Sequence, residues 1–87
     1  MTGLEVNIPW DDYSPTDSKA DVGDVRLRVL KTESSGWEWY VDARRPFVGY
    51  SVTDRGAAQG GAEAKAAAVE AYPRVLAAWG VLDADRG

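Results

Sequence analysis

Apolar and polar residues alternate along two stretches of the chain. Val25-Arg26-Leu27-Arg28-Val29 and Trp37-Glu38-Trp39-Tyr40-Val41 each repeat with period two, which turns successive side chains to opposite faces of a strand. Both stretches therefore predict strands with one apolar face, and Trp37 and Trp39 share that face. Glu33-Ser34-Ser35-Gly36 lies between them. Read as a hairpin whose loop is Ser34 to Gly36, with Gly36 left-handed, it sets Glu33 opposite Trp37. Val29 then meets Val41 and Leu27 meets Ala43 on the apolar face, while Arg28 meets Asp42 and Leu30 meets Tyr40 on the other. Arg44-Arg45-Pro46 predicts a second turn, followed by a third strand over Phe47–Val52 that opposes Val41 to Val48, Trp39 to Tyr50 and Trp37 to Val52.

The period then changes. Asp54 to Gly61 reads as a flexible connection, and its glycines match neither the Gly-x-Gly-x-x-Gly nor the phosphate-loop spacing. An alanine-rich helix is predicted from about Ala62 to Tyr72. Pro73 removes a helix hydrogen bond at a cost of about 3 kcal/mol, which predicts a kink or a fresh start there. Val69, Tyr72, Leu76 and Trp79 fall on one helical face across that break, and Gly80 is the expected C-cap. The small face at Ala62, Ala66 and Ala67 would sit against Trp37 and Trp39. The expected fold class is α+β: a three-stranded antiparallel meander packed on one C-terminal helix, kinked or broken at Pro73. Residues 1–23, with two prolines, small polar residues and clustered acids, are expected to form an acidic arm, extended or partly disordered. A short strand over 4–8, ended by Pro9, is an alternative for part of it. Residues 24–80 would form the single domain and 81–87 a flexible tail.

Length and composition narrow the chemistry. With 87 residues, one small core must hold the fold, so each large aromatic counts, at roughly 2–3 kcal/mol when buried. The chain has no cysteine and no histidine, which removes disulfides, thiol chemistry, the usual zinc sites and imidazole-based triads. Asp11, Asp12, Asp17 and Asp21 are the nearest thing to a catalytic cluster, and the run Asp17 to Asp24 has Val22 where a calcium loop needs glycine. No catalytic residue, cofactor or metal is expected, and the chain is read as a non-enzyme. No apolar run is long enough to cross a membrane, so a cytoplasmic location is expected. The net charge is −4, and residues 1–24 account for −5 through Glu5, Asp11, Asp12, Asp17, Asp21 and Asp24 against Lys19, whereas residues 25–61 carry +2.

Candidate binding residues follow from the strand parity. Tyr40, Leu30 and Phe47 form an apolar and aromatic patch on the exposed sheet face, rimmed by Arg26, Arg28, Glu38 and Asp42, the pattern of an interface core with a polar rim. Its occupant would be another protein, a second copy of the chain, or the acidic arm itself through Trp10 or Tyr13. The run Gly36 to Val41 followed by Ala62-Glu63-Ala64-Lys65-Ala66-Ala67-Ala68 resembles the short Trp-x-Trp hairpin and alanine-rich helix proteins of actinobacteria and their phages. More loosely, it is similar to the arm-type DNA-binding domain of tyrosine recombinases. The second resemblance implies an exposed sheet face entering the major groove. Arg44, Arg45 and Arg55, unpaired in the expected register, would then contact nucleic acid, with the arm as intramolecular competitor. The leading expectation is a non-catalytic protein-binding module, a phage or bacterial regulator or inhibitor. The alternatives are a DNA-binding accessory domain and an acidic mimic of nucleic acid.

Overall fold

The computed structural model describes residues 8–33 and 36–85. Five strands, β1 (Asp11–Ser14), β2 (Asp17–Val22), β3 (Val25–Lys31), β4 (Trp37–Ala43) and β5 (Val52–Ala58), precede one helix, α1 (Gly61–Asp85). The strands form one antiparallel sheet in chain order, so the class is α+β and the meander has five strands instead of three. No helix of the described residues is long and apolar enough to cross a membrane.

The two additional strands at the front lie in the stretch expected to be an arm. Ser18, Ala20 and Val22 turn inward from β2 while Asp17, Lys19 and Asp21 turn outward. The inward residues are small, so the alternation is weak in hydropathy although regular in geometry. Gly23 and Asp24 connect β2 to β3 between the paired Val22 and Val25. Gly23 has φ 61°, the conformation that a two-residue turn requires at its first central position. Ile8 precedes β1 outside any strand, and residues 4–7 of the expected short strand lie outside the described residues.

Between β3 and β4 the strand parity holds and the register differs by two residues. Val29 faces Trp39, Leu27 faces Val41, Arg28 faces Tyr40 and Arg26 faces Asp42. Thr32 fixes this pairing. Its backbone N–H donates to the Gly36 carbonyl at 2.8 Å, and its hydroxyl accepts from the Gly36 N–H and lies 3.1 Å from that carbonyl. The strands thus close at Thr32 and Gly36, and residues 34 and 35 of the expected loop lie outside the described residues.

The third expected strand is displaced further. Residues 44–51 form a loop, and β5 occupies the stretch read as a flexible connection, with Trp39 opposite Gly56 and Trp37 opposite Ala58. The indole of Trp39 decides this pairing. A Cβ on Gly56 would lie 2.7 Å from Trp39 Cζ2, so the residue facing that ring has to be glycine. Gly61, at the start of α1, meets the Trp37 ring in the same way at 3.1 Å. The two glycines are contact surfaces for two tryptophans.

One face of the sheet is the core. Val25, Leu27, Val29, Trp39, Val41 and Ala43 are buried against Ala64, Ala68, Ala71, Val75 and Trp79 of α1. This seam replaces the expected one: Ala62 and Ala66 are exposed, as is Leu76. Pro73 lies inside the helix on its exposed side, and Ala71 and Val75 on either side of it pack on the same sheet, so the helix runs through. It also continues past Gly80. A helix of 25 residues spans about 37 Å, whereas a seven-residue strand spans about 23 Å. The C-terminal end overhangs, and Val81 is 71% exposed. The helix packs on β3, β4 and β5; Ile8 and Trp10 fill in beside it.

Candidate functional site

The sheet face opposite α1 has no covering layer among the described residues. Three transverse rows of side chains occupy it, because in an antiparallel sheet directly paired residues share a face. The middle row crosses all five strands as Asp11, Lys19, Arg28, Tyr40 and Arg55. On one side lie Asp17, Leu30, Glu38 and Ala57, and on the other Asp21, Arg26, Asp42 and Thr53. Tyr13 joins this face where β1 is irregular between Asp12 and Ser14; its ring lies 5.0 Å below the Lys19 ammonium.

Most charges on this face are already matched. Arg28 donates from two nitrogens to the Asp17 carboxylate, at 3.3 and 3.0 Å, and Arg26 pairs with Asp21 at 2.8 Å. Asp42 accepts from Arg44 and from the Thr53 hydroxyl, both at 2.6 Å. These hydrogen bonds, reinforced by the carboxylates' charge, raise Arg26 and Arg28 above the ordinary guanidinium range. The Tyr40 hydroxyl donates to Glu38 at 2.7 Å, and that bond pushes the phenol up from its usual value. Exposed pairs of this kind contribute about 0.2–1 kcal/mol each, so their main effect is to order the surface. Lys19 and Arg55 are the two cations of the face without a carboxylate partner among the described residues.

The expected interface residues separate into two groups. Arg26, Arg28, Leu30, Glu38 and Tyr40 do share the open face, with Leu30 and Tyr40 half-buried among the charges. Phe47 does not join them. It is fully exposed in the loop 44–51, with φ 69°, a conformation uncommon for a bulky residue. The nearby loop residue Tyr50 packs on Trp79, with ring centroids 5.3 Å apart. Of the two candidate arm anchors, Trp10 is half-buried beside the core under Lys65, 5.4 Å from its ring, and Tyr13 is 53% exposed on the open face. The arginines expected to be unpaired also divide. Arg44 holds Asp42 and Arg45 holds Asp24 at 2.9 Å, which leaves Arg55 on the open face. Lys19, Asp17, Asp21 and Thr53 complete this face and lie outside the interface patch that the sequence predicts, because nothing in their hydropathy marks β2 or β5 as a strand.

Two sites lie elsewhere. Asp24, at the β2–β3 turn, accepts from the Trp79 indole N–H at 3.1 Å and from Arg45, and both bonds hold its carboxyl below the usual range. A cleft of about 550 Å³ between the β1–β2 hairpin and the start of α1 is lined by Asp12, Ser18, Trp37 and Lys65, among others. In it, Asp12 accepts from Ser18 and from Lys65, which lowers its pKa and leaves the polar groups of the cleft satisfied by one another. Among the described residues no group of three or more carboxylates converges to hold a metal ion. Comparison of the chain with family models, with curated proteins and with solved structures returns no match.

Proposed function

We propose that the protein is a non-catalytic binding module that engages another protein through the open sheet face. One observation carries this reading: a five-stranded face lies uncovered among the described residues and presents Tyr13, Leu30 and Tyr40 within a frame of ordered charges. Aromatic groups ringed by polar side chains suit an interface core with its rim. The ion pairs supply a pattern that a partner has to match, which favours specificity over affinity. A nucleic-acid reading has less support, because Arg44 and Arg45 are engaged by Asp42 and Asp24 and the three rows of the face hold five carboxylates against four cations.

Site-specific photocrosslinking tests the proposal. A benzophenone side chain at Leu30 or Thr53 on the open face should give a discrete protein adduct in lysate of the native cell, and the same group at Ala77 on the outer side of α1 should not. The adduct should vanish in a Tyr40→Ala, Arg26→Ala background that retains the native circular dichroism. Adducts formed equally from Ala77, or from neither surface, would refute the proposal.

A further inference from the structure

We propose that the middle row, Lys19, Arg28, Tyr40 and Arg55, seats an extended acidic segment of the partner protein, running across the strands. The inference rests on the module reading above and adds the chemistry of the ligand. Neighbouring strands lie about 4.8 Å apart, so Arg28 and Arg55, on either side of Tyr40, are separated by about 10 Å at the backbone. Both guanidinium groups can reach a carboxylate lying over the Tyr40 ring. A second carboxylate fits between Lys19 and Arg28, beside Tyr13, whose ring already lies under the Lys19 ammonium. Those two positions are about 7 Å apart, the distance between same-side residues of an extended chain, so the row fits the pattern acid-x-acid.

The charges of the face support the same occupant. Lys19 and Arg55 have no carboxylate partner among the described residues, and Arg28 uses only two of its five N–H donors on Asp17. The flanking carboxylates are taken: Asp17 by Arg28, Asp21 by Arg26, Asp42 by Arg44 and Thr53, Glu38 by Tyr40. Asp11 closes the row at its far end, opposite Lys19, and limits the ligand to the span from Lys19 to Arg55. Acidic rows about 7 Å to either side fall within one Debye length, so the attractive strip is narrow. A short peptide with two acids keeps its charge within that strip, whereas a nucleic-acid strand brings a phosphate every residue to a chain of net charge −4.

The test is a nitrogen-15 NMR titration of the full chain at low salt with a pentapeptide of threonine that has glutamate at its second and fourth positions. The same peptide with glutamine for glutamate and a thymidine dodecanucleotide are the comparisons. Shifts should concentrate on Tyr13, Lys19, Arg28, Tyr40 and Arg55, appear with the glutamate peptide alone, and weaken as salt is raised. Lys19→Gln and Arg55→Gln should each weaken binding about threefold and together about tenfold, as expected for exposed charge pairs, and Arg74→Gln on the helix should leave it unchanged. Equal shifts from the glutamine peptide, no shifts from the glutamate peptide, or tighter binding of the oligonucleotide would each overturn the proposal. If the peptide fails while Leu30 or Thr53 still crosslinks to a protein, the acidic ligand is wrong and the module reading stands; if both fail, both are wrong.

Discussion

Gly56 faces the Trp39 indole so closely that a methyl group there would enter the ring at 2.7 Å. Gly56→Ala should therefore cost about 2–3 kcal/mol, the upper part of the range for overpacking a filled core. In a domain of this size that lowers the thermal midpoint by about 8–24 °C, at roughly 4–8 °C per kcal/mol. Gly49→Ala, where nothing lies within 4 Å of the added carbon, is the control and should stay near the parent; equal losses at both positions would refute the Trp39 contact as the cause. Asp24 gives a second residue-level test. Its carboxyl is held low by the Trp79 indole N–H first and Arg45 next. A carboxylate with a depressed folded-state pKa contributes stability that is present above the unfolded value of about 3.9 and is lost as pH falls through the folded value. Trp79→Phe removes the indole donor, so the Asp24 titration followed by carbonyl NMR should move upward toward the ordinary range. An unchanged Asp24 midpoint would show that Arg45 alone sets it.

At the scale of elements, β5 is an edge strand that resists further pairing. The hydrogen bond from Arg44 N–H to the Asp24 carbonyl fixes which residues of β4 bond to β3, and by alternation Thr53, Arg55 and Ala57 point their backbone groups outward from β5. Two devices guard this edge. The Arg55 N–H donates to its neighbour's Asp54 carboxylate at 3.0 Å, and Arg74 of α1 holds that carboxylate in place at 3.0 Å. A second copy pairing antiparallel through all three outward residues would also set Arg55 opposite Arg55. Charged edges of this kind suppress edge-to-edge association. Asp54→Ala combined with Arg55→Thr should convert a monomer into a species that associates with rising concentration in sedimentation velocity, while either single change has a smaller effect. A double variant that stays monomeric at millimolar concentration would show that neither device matters. The same strand marks the limit of what the sequence discloses. The parity of β3 and β4 was legible because Val25 to Val29 and Trp37 to Val41 alternate strongly. β5 was not, since its Gly-Ala-Ala end has no large side chains whose alternation would show in hydropathy, and it owes its place to the Trp39 ring. Nor was β2, whose inward Ser18 and Ala20 differ little in hydropathy from a solvated linker; the Gly23-Asp24 pair between two valines was the signal available for that hairpin.

For the whole molecule, the helix divides the sheet into unequal halves. It packs on β3, β4 and β5 but not on β1 or β2, so the front hairpin depends on β3, on Ile8 and Trp10 tucked beside the core, and on exposed ion pairs. The acids expected to extend an arm are instead the outward row of a strand, with Asp17 and Asp21 drawn onto Arg28 and Arg26. Composition alone therefore misjudged residues 11–22, because the partners that neutralise them lie on another strand. Opening the hairpin exposes few large apolar groups, whereas opening β3 or β4 exposes Leu27, Val29, Trp39 and Val41 together, and local opening free energies follow that difference. Native-state hydrogen exchange should show β1 and the outer half of β2 opening at a free energy well below the global value, with β3, β4 and the amides around Ala68 to Val75 exchanging only through complete unfolding. Because Lys19 of the proposed ligand row and Tyr13 beside it lie on that hairpin while Arg28, Tyr40 and Arg55 do not, a saturating partner segment should raise the protection of β1 and β2 most. Protection that rises equally in all strands would mean that the partner stabilises the domain without crossing the row.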